Sequence, residues 1–146
     1  MKSLTDEMNE YYYKMSMYEL QMMNEQDYYH GLSYNTILYI NVISQVRDCT
    51  VSKIADMLHV TKSAVTLKMN ELVKAGAVEK VQSETDRRVY YLRLSPRMQE
   101  SVSIYDKVFD QIEMQLKNKY SAEQLELFHE IIHDISGYEW RNLKNE

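Results

Sequence analysis

Between Thr50 and Leu94 the apolar residues change their period, and few folds accept such a stretch. Ile54, Ala55 and Leu58 share one face of a short helix. Thr50 opens that helix as N-cap, its hydroxyl accepting from a free amide of the first turn. His59-Val60 breaks the pattern. Thr61 is a second N-cap, for a helix from Lys62 to about Ala75, and Gly76 sits where a left-handed C-cap residue stops it. The period then becomes that of a half-buried strand: Tyr90, Leu92 and Leu94 alternate with Val89, Tyr91 and Arg93. The expected unit is a helix-turn-helix followed by a two-stranded hairpin. The hairpin tip, Ser83 to Arg88, contains no glycine, which predicts a loop of several residues rather than a two-residue turn.

A helix-turn-helix with a basic wing is a shape that grips duplex DNA. In its second helix Val65, Met69, Leu72 and Val73 share a stripe expected to bury against the first. The opposite stripe carries Ser63, Leu67, Asn70 and Lys74, with Thr66 beside it and Lys68 on the flank. A mostly polar face with small hydroxyls near its N-terminal end suits a major groove, where Leu67 would meet a thymine methyl. Such a face is also that of any solvated helix. The wing tilts the reading toward DNA. Its tip holds Glu84, Asp86, Arg87 and Arg88, and a loop arginine can enter the narrow, negative minor groove. The plainer alternative for the tip is a surface ion pair of little energetic worth. The candidate DNA contacts are therefore Thr50 and Ser52 on the first helix, Thr61, Lys62, Ser63, Thr66, Leu67, Lys68 and Asn70 on the second, and Asp86, Arg87 and Arg88 in the wing.

These residues resemble the winged helix-turn-helix of the MarR family of bacterial transcriptional regulators. The resemblance rests on Ile54-Ala55, Val60-Thr61-Lys62-Ser63, Val65-Thr66, Leu72, Gly76, Asp86, Arg88 and the closing Leu94-Ser95. It covers the central third of the chain closely and the outer helices in length and order only. It implies that Asp86 braces the wing through an arginine, that Arg88, with Arg87, approaches the minor groove, and that Thr61, Lys62, Ser63 and Thr66 face the major groove. Two positions depart from the family pattern. Leu67 stands where a basic residue is frequent, and His59 where a glycine is common. The resemblance further implies outer helices that interleave into a homodimer, repression of transcription from a pseudo-palindromic operator, and release by a small-molecule effector or other signal.

The net charge of −5 is unusual for a DNA-binding chain, but it is segregated. Residues Thr50 to Arg97 hold nine Lys or Arg against five Asp or Glu, so the acid lies in the outer helices. Partner choice follows the local field. The length of 146 residues suits one compact domain. The fold class expected is mainly α with a small β hairpin: a lobe at 33–95 for DNA, and dimerisation helices at 1–32 and 96–146. One cysteine allows no intrachain disulfide and fits a reducing cytosol. No signal peptide and no apolar run long enough for a bilayer is visible, so a cytoplasmic location is expected, with no membrane partner.

Leu4 to about Glu25 is predicted helical, with Met8, Tyr12, Met15, Tyr18 and Met22 on one stripe, widened by Tyr11 and Tyr13. Met and Tyr there serve a core or a dimer contact equally. Gly31 ends a linker. Ser33 caps a second helix through about Val46, whose Ile37, Leu38, Ile40, Val42 and Ile43 make it apolar nearly all round and thus central and buried. Cys49 is read as a structural thiol; a redox role would need exposure and a thiolate. Ser95 and Pro96 start a helix to about Tyr120, with Val102, Tyr105, Val108, Phe109, Ile112 and Leu116 on its apolar face. Ser121 with Gln124 forms a capping box for the last helix, which carries Leu125, Phe128, Ile131, Ile132, Ile135 and Tyr138.

One motif points elsewhere. His129-Glu130-Ile131-Ile132-His133 spells HExxH on a helix, the pattern of zinc peptidases, in which two histidines share a metal and the glutamate acts as base. A third ligand is required. No histidine follows His133, and Glu139 lies about 280° round a straight helix from His129. The rival readings are a zinc-dependent hydrolase, a metal-responsive regulator using Glu126, His129 and His133, or solvated histidines at the edge of an apolar stripe. No cofactor is expected, and no other enzyme motif is present.

Overall fold

The computed structural model of the chain describes residues 1–25 and 30–139. The linker at 26–29 and the chain end at 140–146 lie outside the described residues. The elements follow in the order α1 (Leu4–Glu25), α2 (Tyr34–Gln45), α3 (Val51–Leu58), α4 (Lys62–Lys74), β1 (Val78–Gln82), β2 (Tyr90–Leu94), α5 (Pro96–Lys119) and α6 (Ala122–Gly137). This is the expected class, mainly helical with one small antiparallel hairpin. The chain divides into two compact units, Met1–Ser103 and Ile104–Glu146, with the boundary inside α5.

The helix-turn-helix forms where its caps stand. Thr50 Oγ1 accepts from the Lys53 amide at 3.2 Å, and Thr61 Oγ1 from the Ala64 amide at 3.2 Å. Each hydroxyl satisfies an amide that has no partner within its helix. His59 ends α3 in the left-handed region at φ 53°, which is costly for any residue with a Cβ. This is why glycine is common at such a turn. Gly76, at φ +69°, takes the same region after α4. The Gly76 and Ala77 amides then donate to Val73 and Leu72, closing the last turn. A Cβ on Gly76 would meet nothing within 4 Å, so the demand there is purely one of backbone conformation.

The hairpin pairs Val78 with Leu94 and Lys80 with Leu92. It is tied to its surroundings at both ends. The Leu92 amide donates to the Cys49 carbonyl at 2.8 Å, and the Ser95 amide to Ala77 at 2.9 Å. Arg97 Nη2 donates to Ala75, and Gln99 Nε2 to Leu94, fixing the start of α5 onto the ends of α4 and β2. The core of the first unit lies among these elements. Ile37 and Ile40 of α2, Ile54 of α3, Val65, Met69 and Leu72 of α4, Val78, Leu92, Leu94 and Met98 are all buried.

Several expectations need correction. Ser33 occupies the N-cap position of α2, but its hydroxyl meets Thr36 Oγ1 at 2.9 Å instead of an amide. α2 is buried on one side only: Ile37, Ile40 and Ile43 face the core, while Leu38 is 42% exposed. On α4, Val73 is exposed and does not join the buried stripe. In α1, Met8, Tyr12 and Tyr18 are exposed and Met15 and Met22 only half-buried, so α1 is not a core helix of the single chain. In α5 and α6, Val108, Phe109, Ile112, Phe128, Ile131, Ile132 and Ile135 are likewise exposed. The Ser121–Gln124 capping box of α6 is present as expected.

Ile54→Ala should lower the unfolding free energy by about 2–5 kcal/mol through the cavity it leaves, and Thr61→Ala by about 1 kcal/mol through removal of the cap. Urea denaturation of the full chain reads both. An Ile54→Ala cost no larger than that of the cap would show that α3 is not keyed into the core.

Candidate nucleic-acid interface

The wing loop from Ser83 to Val89 is held by its own side chains. The buried Ser83 hydroxyl accepts from the amides of Thr85 and Asp86, each at 3.3 Å. Gln82 Nε2 donates to the Arg87 carbonyl at 2.7 Å. The Val89 amide returns to the Asp86 carbonyl, and the Ser83 amide to that of Val89. Asp86 Oδ1 accepts twice from Arg88, from its amide at 3.0 Å and from Nε at 3.3 Å. Arg88 is almost fully exposed and Asp86 about half so, so this pair contributes little to stability. Its effect is geometric: it sets where the Arg88 guanidinium begins. Arg87 is exposed beside it.

The outer face of α4 carries Lys62, Ser63, Thr66, Leu67 and Asn70, all exposed, with the capping Thr61 just before. Two of the candidate contacts are already engaged. Lys68 Nζ meets Glu71 Oε2 at 2.8 Å, which neutralises its charge within the helix. Asn70 Oδ1 accepts from Lys80 Nζ of β1 at 2.8 Å. Lys80 therefore joins the wing to the recognition helix. The sequence reading missed it: strand alternation puts Lys80 on the same face as Val78, but only the packing of β1 against α4 gives it a partner.

A cleft of about 500 Å³ opens where the wing faces the start of α3. Thr50, Val51 and Ser52 line one side, Lys80 and Arg88 the cationic side, and Val89, Tyr90 and Leu92 the apolar floor. Of the expected site residues, this gathers Thr50, Ser52 and Arg88 around one space, with Asn70 linked to it through Lys80. Thr61, Lys62, Ser63, Thr66 and Leu67 form a separate exposed strip on α4. The Thr50 and Ser52 hydroxyls with two cations make a setting that accepts an oxyanion.

The remaining candidates lie elsewhere. Glu126, His129 and His133 are exposed on α6, in the second unit, and His133 Nδ1 stands 4.0 Å from Asp134. Among the described residues no group of three or more His, Cys, Asp or Glu is placed to hold a metal ion. Cys49 is buried, and desolvation pushes its thiol above the ordinary value, against a smaller opposing pull from Lys53. Among the described residues no helix is long and apolar enough to cross a membrane.

Helix-turn-helix, two-stranded wing and flanking long helices define a winged helix-turn-helix protein. Residues 32–90 match the model of the MarR family. A curated relative, the HTH-type transcriptional regulator BilQ of Clostridioides difficile, is 24% identical over 83 residues. That match takes in 57% of this chain and only 56% of the relative's length. Two solved structures share the fold over nearly all of both chains. The adhesin competence repressor AdcR of Streptococcus pyogenes has a TM-score of 0.58 at 21% identity, covering 93% of this chain and 97% of its own. Streptococcus pneumoniae FabT in complex with DNA has a TM-score of 0.57 at 23% identity, covering 97% of this chain and 98% of its own.

Two outcomes follow from this geometry. Asp86→Ala should speed hydrogen exchange at the Arg88 amide while leaving the melting temperature nearly unchanged; unaltered exchange would show that the carboxylate does not hold the loop. Iodoacetamide at neutral pH should label Cys49 in urea-unfolded chain much faster than in native chain, since the native thiol is both shielded and less ionised. Equal rates would contradict its burial.

Proposed function

We propose that this chain is a sequence-specific, double-stranded-DNA-binding transcriptional regulator that works in the cytoplasm as a homodimeric repressor. The observation that carries the reading is the cationic cleft between the wing and α3, set beside the exposed polar strip of α4. In this reading a backbone phosphate occupies the cleft against Lys80 and Ser52, with Arg88 at its mouth. Thr61, Lys62, Ser63 and Thr66 face the major groove, and Arg88 and Arg87 reach the minor groove of the flank. Phosphate contacts of this kind set register, and side chains on base edges supply sequence discrimination. That FabT was solved with DNA supports the same use of the shared fold here.

The exposed apolar faces of α1, α5 and α6 support the dimer. Apolar surface left open on this scale marks an interface, and a second copy of the chain, folded alike, offers matching faces. Two lobes related by a two-fold axis would meet half-sites about 34 Å apart on a pseudo-palindrome. Release by a small-molecule effector is what the match to the MarR family model adds. The reading assigns the chain no catalytic step.

Arg88→Ala should weaken operator binding and reduce the steepness of its logarithmic salt dependence by about 0.9 for each phosphate that the variant no longer neutralises. An unchanged slope would remove Arg88 from the interface. In sedimentation equilibrium the full chain should be a dimer at micromolar concentration, and deletion of residues 1–25 should shift it toward monomer. A full-length monomer that still bound operator tightly would contradict the dimeric reading.

A further inference from the structure

The outer face of α4 contains one group that suits neither water nor phosphate. Leu67 is 65% exposed, whereas Val65, Met69 and Leu72 on the opposite face are at most 1% exposed. A single exposed leucine is ordinary on a protein surface. Here its surroundings narrow what it can meet. Ser63 and Thr66 beside it offer small hydroxyls. The two polar groups that follow are committed: Lys68 to Glu71, and the carbonyl oxygen of Asn70 to Lys80. The strip around Leu67 thus presents short polar groups about an apolar centre, with the Lys68 ammonium on its flank held by Glu71, and with Lys62 at the start of the helix. Leu67 itself gains nothing from the phosphate backbone, which rewards cations. Within a major groove one apolar group is on offer, the 5-methyl of thymine.

We infer that Leu67 is a specificity-determining residue, packing its side chain on the methyl of one thymine in each half-site. This rests on the proposed DNA-binding reading. Leu67 can neither donate nor accept a hydrogen bond, so its contribution is selective for the methyl and leaves the backbone contacts unchanged. The asymmetry makes the inference separable from general DNA affinity.

The test replaces each thymine of an operator in turn with uracil, which removes only the methyl. The operator is first recovered by selecting bound duplexes from a random pool. Binding is then measured for the wild type, Leu67→Ala and Leu67→Met. At one position per half-site, uracil should weaken the wild type about fivefold, the low end for a mismatched base pair. The same replacement should be neutral in Leu67→Ala, which should bind the thymine operator about fivefold more weakly than the wild type. Leu67→Met, which keeps the apolar reach, should retain part of the penalty. If uracil is neutral everywhere in the wild type, or costs the wild type and Leu67→Ala alike, Leu67 does not read thymine. If selection enriches no sequence at all, the DNA-binding reading itself falls, and this inference with it.

Discussion

One backbone hydrogen bond fixes the geometry on which the rest of the lobe depends. The Leu92 amide donates to the Cys49 carbonyl at 2.8 Å. Cys49 immediately precedes Thr50, whose hydroxyl caps α3. The strand that carries the wing is therefore fastened one residue away from the helix start that the wing faces. Burial of Cys49 and Leu92 keeps water from competing for that bond. With β2 anchored there, β1 is carried against α4, and Lys80 reaches Asn70. The cleft, the braced loop and the link to the recognition helix all follow from that attachment.

The charge distribution matches this arrangement. The chain is acidic overall, yet the segment from Thr50 to Arg97 has an excess of basic residues. Lys80 and Arg88 concentrate positive charge at the cleft, and the acidic excess lies on the outer helices. An acidic remainder opposes unspecific attraction to DNA, which grows with net positive charge. Selectivity then depends on the placement of a few groups. That makes the bracing of the wing loop, Arg88 by Asp86 and the Arg87 carbonyl by Gln82, matter more than the energy of those contacts.

Local chemistry was the part of this fold most legible in the sequence. Thr50, Thr61 and the Ser121–Gln124 pair cap their helices as their side chains dictate, because a hydroxyl three residues before a free amide needs no tertiary help. Ser33 shows the limit: a competing hydroxyl on Thr36 takes its bond. The burial of Val65, Met69 and Leu72, and the outward aim of Leu67, followed from helical period alone. Lys80 did not, since its role depends on β1 lying against α4, a contact between elements that neither element's pattern specifies. Leu38 was misread, and the stripe of α1 left open between core and dimer contact, for a related reason. An apolar side chain announces that it seeks cover, but its own sequence does not say which partner supplies it.

The central claim is that this lobe grips specific duplex DNA in two copies related by a two-fold axis. Footprinting genomic fragments bound by the purified chain tests it most directly. The account predicts protection of discrete sites, each with two similar half-sites in inverted orientation whose centres lie about one helical turn apart. Uniform weak protection of all fragments, or single unpaired sites, would contradict it.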